Sequence, residues 1–359
     1  MKRLAALLVF TFALAACGGT VEEAAPPATQ AQGPVFLART AGVSGPVTGY
    51  DTAGLNRRFE LPGGIHAADG RSYYALKGSK LLRFSTLTGK VTRTYPVRGE
   101  WKLAGVSATG EWVALSRPGT RIRILDAEGG TFTHDLALSG KFTVETISTA
   151  GDFLFLQQNF VDGSYAVRGY DLAADQMLPG SLGTKGNTIQ MTGVASQVVA
   201  SPDGRWLLTM YVNTKSNMAF VHALNLIERV AICINMPPCK NCNRETLRGW
   251  GLGLAPDGRT LFAANPAAGR VATIYLPARR VIADSRFTPQ PGCETRTAVS
   301  PDGSQFAFTN GEKVWSFDTN GNWAQNVATD GGAVADLGFG PDGKLLLARK
   351  GASLLALEI

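Results

Sequence analysis

Histidine is scarce in this chain, which has only His66, His134 and His222 among its 359 residues. Metal-dependent hydrolases usually take imidazole ligands, so three scattered histidines disfavour this class of site. The sequence also lacks a Gly-x-Ser-x-Gly motif, which would place a nucleophilic serine on a strand-to-helix turn. It lacks a glycine-rich phosphate loop between a strand and a helix. No contiguous catalytic motif is therefore found.

Long apolar runs and long basic runs are missing as well. Beyond the N-terminal apolar segment, no stretch approaches the roughly 18 apolar residues of a membrane-spanning helix. The longest basic runs have two residues, as at Arg57-Arg58 and Arg279-Arg280, although the formal net charge is +7. Without a basic stripe interleaved with aromatic residues, nucleic acid is not expected as a partner.

The N-terminus has the features of a lipoprotein signal. Lys2 and Arg3 form a positive region, Leu4–Leu14 is a short apolar run, and the segment ending at Cys17 (LAAC) is similar to a bacterial lipobox. The resemblance implies cleavage after residue 16 and acylation of Cys17, with an ordinary secretory signal as the alternative. Residues 17–33 are then the lipidated cysteine that the resemblance implies and a tether, which the Ala-, Pro- and Gln-rich composition predicts to be disordered. We expect lipid anchoring outside the cytoplasm, in a bacterial cell envelope.

A four-residue turn recurs along the rest of the chain. Pro-Asp-Gly versions or looser equivalents end at seven glycines, Gly70, Gly110, Gly151, Gly204, Gly258, Gly303 and Gly343. In such a turn Pro presets φ, Asp bonds back to backbone amides, and Gly takes the positive φ that closes a hairpin. Apolar runs on both sides predict strands. A period of about 40–50 residues with several short strands is the signature of a β-propeller.

The repeat also carries a family resemblance. Segments 201–213 (SPDGRWLLTMYVN) and 300–321 (SPDGSQFAFTNGEKVWSFDTNG) resemble bacterial propellers of the YVTN/lactonase-like and TolB-like kind. The resemblance covers 34–359 and implies one all-β domain of four-stranded antiparallel blades, with the turn joining the innermost strand to the second. Seven turns predict a seven-bladed propeller whose last blade is completed by an N-terminal strand. An eighth, incomplete or composite blade is the alternative, because 35–39, 47–50 and 58–61 supply more than one strand.

Four cysteines remain after Cys17, namely Cys233, Cys239, Cys242 and Cys293. In an exported protein an even count predicts two disulfides. We favour Cys233–Cys239 with Cys242–Cys293, and the other two pairings stay open. A four-thiolate zinc site is less favoured because a second Cys-x-x-Cys is missing. A redox pair is less favoured because the motif lies among loop residues.

Polar residues on or beside the innermost strands are candidates for lining the central channel. They are Trp101, Lys102, Glu145, Gln197, Arg248, Trp250, Glu294, Arg296 and Asp336. This mixed set, with two indoles, suits a small anionic or sugar-like ligand, although solvated channel residues have the same composition. We expect no cofactor, with Ca²⁺ held by Glu145, Asp336 and backbone carbonyls as the one alternative.

These observations favour a membrane-anchored, non-catalytic propeller that binds a protein or a ligand. We expect a monomer that is attached to membrane lipid through acylated Cys17 and binds an envelope protein or a small molecule. The alternative is a lactonase-like or metal-dependent hydrolase using Glu145, Arg296 or Asp336. The resemblance to lactonase propellers is incomplete here, because 294–296 reads Glu-Thr-Arg where those propellers often read Pro-Arg-His.

Overall fold

The repeated turns join short strands into eight antiparallel sheets, the blades of a β-propeller, in the computed structural model. Blades are numbered in chain order, and the first strand of each blade lies next to the central channel. The structure describes residues 34–39, 45–117, 120–183, 191–213, 216–240, 242–292, 295–320, 323–327, 332–349 and 353–359. The predicted signal, Cys17 and the tether lie outside these residues, as do Cys293 and Glu294.

The first four blades run from the start of the described chain to Thr192. Blade 1 contains β1 (Val35–Arg39), β2 (Val47–Asp51) and β3 (Arg57–Leu61). Blade 2 contains β4 (Ile65–His66), β5 (Ser72–Lys77), β6 (Lys80–Ser85) and β7 (Val91–Pro96). Blade 3 contains β8 (Lys102–Val106), β9 (Trp112–Arg117), β10 (Arg121–Asp126) and β11 (Thr131–Ala137). Blade 4 contains β12 (Lys141–Ile147), β13 (Phe153–Asn159), β14 (Ser164–Asp171) and β15 (Gln176–Met177), with β16 (Met191–Thr192) also paired to β14.

The other four blades continue the same order. Blade 5 contains β17 (Val194–Ala200), β18 (Trp206–Val212), β19 (Ala219–Asn225) and β20 (Val230–Asn235). The helix α1 (Arg244–Arg248) precedes blade 6, which contains β21 (Gly251–Leu254), β22 (Thr260–Asn265), β23 (Arg270–Tyr275) and β24 (Arg280–Arg286). Blade 7 contains β25 (Arg296–Val299), β26 (Gln305–Thr309), β27 (Val314–Asp318) and β28 (Trp323–Val327). Blade 8 contains β29 (Val334–Phe339), β30 (Leu345–Arg349) and β31 (Leu354–Leu357). Within the described ranges, no helix is long and apolar enough to cross a membrane.

Each repeated turn is held by the bonds that its sequence predicts. In the turn of blade 5, the amide of Gly204 donates to the carbonyl of Ser201 at 3.0 Å. The Asp203 carboxylate accepts from the amide of Arg205 at 3.0 Å, and Ser201 Oγ accepts from the amide of Trp206 at 2.7 Å. The glycine bond recurs in the other six turns, with every glycine at positive φ. The motif therefore fixes the hairpin between the first two strands of seven blades.

The prediction of seven blades is wrong, and the alternative of eight blades is confirmed. The count missed the connection between β1 and β2 of blade 1. Residues 40–44 (TAGVS) of this connection contain no Asp-Gly pair in the sequence and lie outside the described residues. The eighth blade therefore had strands in the sequence but no motif to mark it.

Blade 1 closes the ring by packing against blade 8. β1 lies beside β29, and the amide of Arg39 donates to Asp336 Oδ2 at 2.8 Å. Ala38 and Tyr50 of blade 1 pack on Leu346 of blade 8. The N-terminal strands thus form their own sheet, which corrects the expectation that one of them would complete the last blade.

Neighbouring blades contact each other at the repeated turns and through large side chains. The amide of Asp69, in the turn of blade 2, donates to the carbonyl of Ala108, in the turn of blade 3, at 2.9 Å. Phe262 of blade 6 stacks on Phe306 of blade 7 with ring centroids 5.3 Å apart. Such contacts bury the apolar face of each sheet against the next, so no blade needs a core of its own.

Gly151→Ala is expected to destabilise the protein more than Gly70→Ala. Both glycines have positive φ, 72° and 77°, so an added Cβ costs each of them about 1 kcal/mol. At residue 151 the Cβ would also fall 2.0 Å from Cε2 of Trp112 in blade 3, whereas at residue 70 nothing lies within 4 Å. Overpacking adds about 1–3 kcal/mol at residue 151. Urea unfolding followed by tryptophan fluorescence measures the difference, and equal losses would contradict the docking of this turn on blade 3.

Candidate functional site

The innermost strands surround a cavity of about 880 Å³, here called the central channel. Seven of the eight innermost strands contribute to its wall, and six of them each provide one charged, imidazole or amide side chain. These are Arg39, His66, Glu145, Gln197, Arg296 and Asp336. A cavity of this size holds a cofactor-sized molecule.

Irregular strand pairing directs several of these side chains. The registers of β12, β17 and β29 with their partners shift between Val144 and Thr146, Ala195 and Gln197, and Val334 and Asp336. Glu145 is the extra residue of the first shift. A β-bulge inserts one unpaired residue, bends the strand and re-aims a side chain. The channel wall therefore departs from the two-residue alternation of a regular strand.

Asp336 lies between two arginines at one side of the channel. The amides of Arg39 and Leu337 donate to its two carboxylate oxygens, at 2.8 Å and 3.0 Å. Burial raises the pKa of Asp336, while the amide of Arg39 and the charge of Arg296 offset part of that rise. Arg39 also donates a side-chain hydrogen bond to the carbonyl of Gly64 at 3.3 Å. Two cations and one carboxylate thus meet where blades 7, 8, 1 and 2 adjoin the channel.

Glu145 is the second acidic group of the channel. Desolvation raises the pKa of its carboxyl group to about 7, and this is the one effect found to act on the group among the described residues. The side chain is half-buried by accessible area, because it opens on the cavity while protein surrounds it on the other sides. Near neutral pH the group is therefore divided between its charged and neutral forms.

His66 and Arg39 belong to the channel but were missed by the sequence reasoning. His66 ends the two-residue strand β4 beside the first repeated turn, and its ring is open to the channel. Burial of its surroundings lowers the pKa of His66, with the Gly70 backbone and Asp69 opposing the shift. The imidazole is therefore neutral at pH 7. Arg39 was missed because the sequence analysis expected an N-terminal strand to complete the last blade, whereas β1 is the innermost strand of its own blade and ends at Arg39.

One wall of the channel is apolar. Val198 of β17 is 57% accessible, and it lines the cavity together with Val199, Ala200 and Leu207. Gln197 on the same strand accepts a hydrogen bond from the amide of Leu252 in blade 6, so its amide group braces two blades. The channel thus combines charged residues on one side with an apolar surface on another.

Four of the predicted channel residues do not line this cavity. The guanidinium groups of Arg117 and Arg123 lie over the Trp101 ring, with their Cζ atoms 4.7 Å and 4.9 Å from the ring centroid. Lys102 is exposed. Arg248 is exposed at the end of α1, and Trp250 is buried in the core of blades 5 and 6. Glu145, Gln197, Arg296 and Asp336 do line it, and their role in binding stays a prediction.

The cysteine pairing differs from the favoured one. Cys239 forms a disulfide with Cys242, so the pairing of Cys233–Cys239 with Cys242–Cys293 is wrong. Their Cα atoms are 5.4 Å apart, within the range that a disulfide spans. Cys233 instead lies on the outermost strand of blade 5, with its sulfur 3.3 Å from Met191 Sδ. Among the described residues, no group of three His, Cys, Asp or Glu side chains is placed to hold a metal ion.

Comparison with known proteins finds similarity in structure only. No protein-family profile and no curated protein sequence matches the chain. Kuenenia stuttgartiensis hydrazine synthase matches with 14% identity over 82% of this chain and 94% of that chain, at a TM-score of 0.47. The dihydro-heme d1 dehydrogenase NirN in complex with DHE matches with 16% identity over 88% of this chain and 68% of that chain, at a TM-score of 0.53. The second similarity supports the propeller fold.

The expectation that the protein needs no cofactor, or at most Ca²⁺, is overturned by the second match. A structural neighbour with this propeller fold is a dehydrogenase in complex with DHE. The expectation rested on the lack of a contiguous motif. In a propeller, however, single residues from separate blades line the channel, so a binding site leaves no such motif.

Glu145→Gln is expected to change the dependence of stability on pH. A carboxyl group whose pKa is raised from 4.5 to about 7 holds its proton in the folded state after the unfolded chain has lost it. The wild type therefore loses stability between pH 4.5 and about 7, by an amount on the order of 2 kcal/mol after allowance for partial exposure. The glutamine variant keeps that stability.

Urea unfolding at pH 4.5 and pH 8 tests this expectation. The difference between Glu145→Gln and wild type should grow toward pH 8, while Glu312→Gln, at an exposed position, serves as the matched control. A parallel pH dependence in wild type and Glu145→Gln would rule out the raised pKa.

Proposed function

We propose that this protein is a lipid-anchored, extracytoplasmic propeller that binds an anionic, heme-type ligand in its central channel. The observation that carries the proposal is the convergence of two arginines, a neutral histidine and an apolar wall on one cavity of about 880 Å³. The ligand class is suggested by the structural neighbour in complex with DHE. The role is binding, as favoured by the sequence.

The two arginines fit the carboxylates of such a ligand. Arg39 and Arg296 come from blades 1 and 7 and flank Asp336. Guanidinium groups bind carboxylates through paired hydrogen bonds, which are stronger than neutral ones.

The histidine and the apolar wall fit the rest of a heme-type ligand. A neutral imidazole is a ligand for heme iron, and the lowered pKa of His66 leaves its ring unprotonated at pH 7. A flat macrocycle needs apolar surface, and Val198 offers it with 57% of its area accessible. An exposed apolar surface inside a channel is an expected binding feature. When bound, the iron would supply redox chemistry, while these residues bind and orient the ligand.

Titration of the purified mature protein with hemin, followed by absorbance, tests the proposal. We expect saturable binding to one site. Arg296→Gln should weaken it about 10- to 100-fold, the effect of losing a hydrogen bond to a charged group. His66→Gln should change the absorption spectrum of the bound hemin, because an imidazole ligand is removed.

Arg248→Gln is the matched control for the arginine variant, because Arg248 is exposed and lies outside the channel wall. Thermal unfolding of every variant checks that the fold is retained. Non-saturable binding, or equal affinity and spectra in the wild type and both channel variants, would refute heme-type binding in the channel.

Acylation of Cys17 is tested separately in the producing cells. Cys17→Ser should move the chain from the membrane fraction to the soluble fraction, since two or three acyl chains hold a protein on a bilayer at about 0.8 kcal/mol per buried CH₂. Metabolic labelling with a fatty acid should mark the wild type alone. Labelling of Cys17→Ser, or unchanged membrane association of that variant, would contradict the lipid anchor.

A further inference from the structure

The interface between blades 4 and 5, here called the seam, has a polar part that contains Tyr165, Tyr211 and His222. Tyr165 of blade 4 stacks on Tyr211 of blade 5 with centroids 5.2 Å apart, and Tyr211 stacks on Phe220 at 5.5 Å. The edge of the His222 ring meets Tyr211 at 5.9 Å. The rest of the seam is apolar and contains Phe155 with several leucines. Aromatic rings therefore enclose a small polar region between two sheets.

Four buried polar atoms of this region lack a hydrogen-bond partner. They are Tyr165 Oη, Thr209 Oγ1 and both ring nitrogens of His222. His222 is 1% exposed, and Thr209 is its direct neighbour across β18 and β19. A buried polar atom without a partner destabilises the folded state, so several such atoms in one place indicate a bound water or ion.

Two sulfur atoms complete the region at its outer end. Cys233 on β20 is the direct neighbour of His222 across β19 and β20, and the two side chains share the face toward blade 4. Met191 on β16 of blade 4 reaches across the seam, and its Sδ lies 3.3 Å from Cys233 Sγ. Cys233 is exposed, so the sulfur pair is accessible from outside.

We propose that the seam binds a soft metal ion, Cu(I), through Cys233, Met191 and His222. Thiolate and thioether ligands select Cu(I), and imidazole also suits copper. The thiol of Cys233 loses its proton on binding, and the thiolate and Cu(I) then form a neutral pair, which lowers the cost of placing charge beside aromatic rings.

The position of His222 favours the same ligand. The ring is 1% exposed and lies directly beside Cys233 across β19 and β20, on the face of blade 5 that meets blade 4. Neither ring nitrogen has a hydrogen-bond partner among the described residues, so binding of a metal ion breaks no existing bond. A histidine that binds a metal through one nitrogen usually donates the N–H of the other nitrogen to a neighbouring group. Thr209 Oγ1 and Tyr165 Oη are the nearby groups that can take this second role.

Competition between the purified protein and the Cu(I) chelator bathocuproine disulfonate measures the affinity. Ascorbate rather than a thiol keeps the copper reduced in this assay, so that the Cys239–Cys242 disulfide is preserved. We expect one equivalent of Cu(I) to be retained, and X-ray absorption should show sulfur and nitrogen ligands. Cys233→Ser, Met191→Leu and His222→Phe should each weaken retention by more than about 10-fold. Loss of an outer-shell partner already weakens metal affinity about 10- to 100-fold, and loss of a direct ligand should cost at least the lower of these values.

Matched controls separate these effects from damage to the fold. Met210→Leu removes a buried methionine from the opposite face of blade 5, and Cys293→Ser removes another cysteine. Both should retain Cu(I). Met191 is only half-buried, so Met191→Leu keeps the test valid if His222→Phe fails to fold.

Two results would overturn the proposal. One is retention of Cu(I) that is unchanged in Cys233→Ser and Met191→Leu. The other is failure of the wild type to retain Cu(I) against the chelator. Hemin titration of the same variants is independent, because none of the three residues lines the channel.

Discussion

Contact between neighbouring blades is the interaction on which the rest of the structure depends. A single blade is a small twisted sheet with two faces to cover, and it cannot bury them by itself. The turn contacts, such as the bond from the Asp69 amide to the Ala108 carbonyl, fix the spacing of successive innermost strands. That spacing produces the channel, and it also sets how the faces of blades 4 and 5 meet at the seam.

The strands and the repeated turns could be predicted because their signals are local. The Pro-Asp-Gly turn carries its own hydrogen bonds, and each of the seven predicted turns joins two strands as expected. The number of blades could not be counted with the same method, because blade 1 lacks the motif. Its strands were recognised in the sequence, but their assignment to a sheet depends on packing against blade 8.

The channel was predicted in part, for a physical reason. Glu145, Gln197, Arg296 and Asp336 lie on strands that the pattern located. The exact facing of a side chain depends on bulges such as the one at Glu145, which shift the two-residue alternation and leave no sequence signature. Trp250 was predicted to line the channel but is buried between blades 5 and 6. The sequence pattern does not distinguish a side chain that faces the channel from one that faces a neighbouring blade. The seam likewise combines β16, β19 and β20, whose proximity is a property of the assembled ring.

The closure of the ring by blade 1 has a consequence for how the chain folds. Each described blade is built from one continuous stretch of chain, and blade 8 takes no strand from the N-terminal end. Blades can therefore form in order as the chain leaves the ribosome, with mostly local contacts at every step. The one step that joins distant parts of the sequence is the docking of blade 1 on blade 8. It involves side-chain packing and few backbone bonds, so it can occur last and can open without unravelling any sheet.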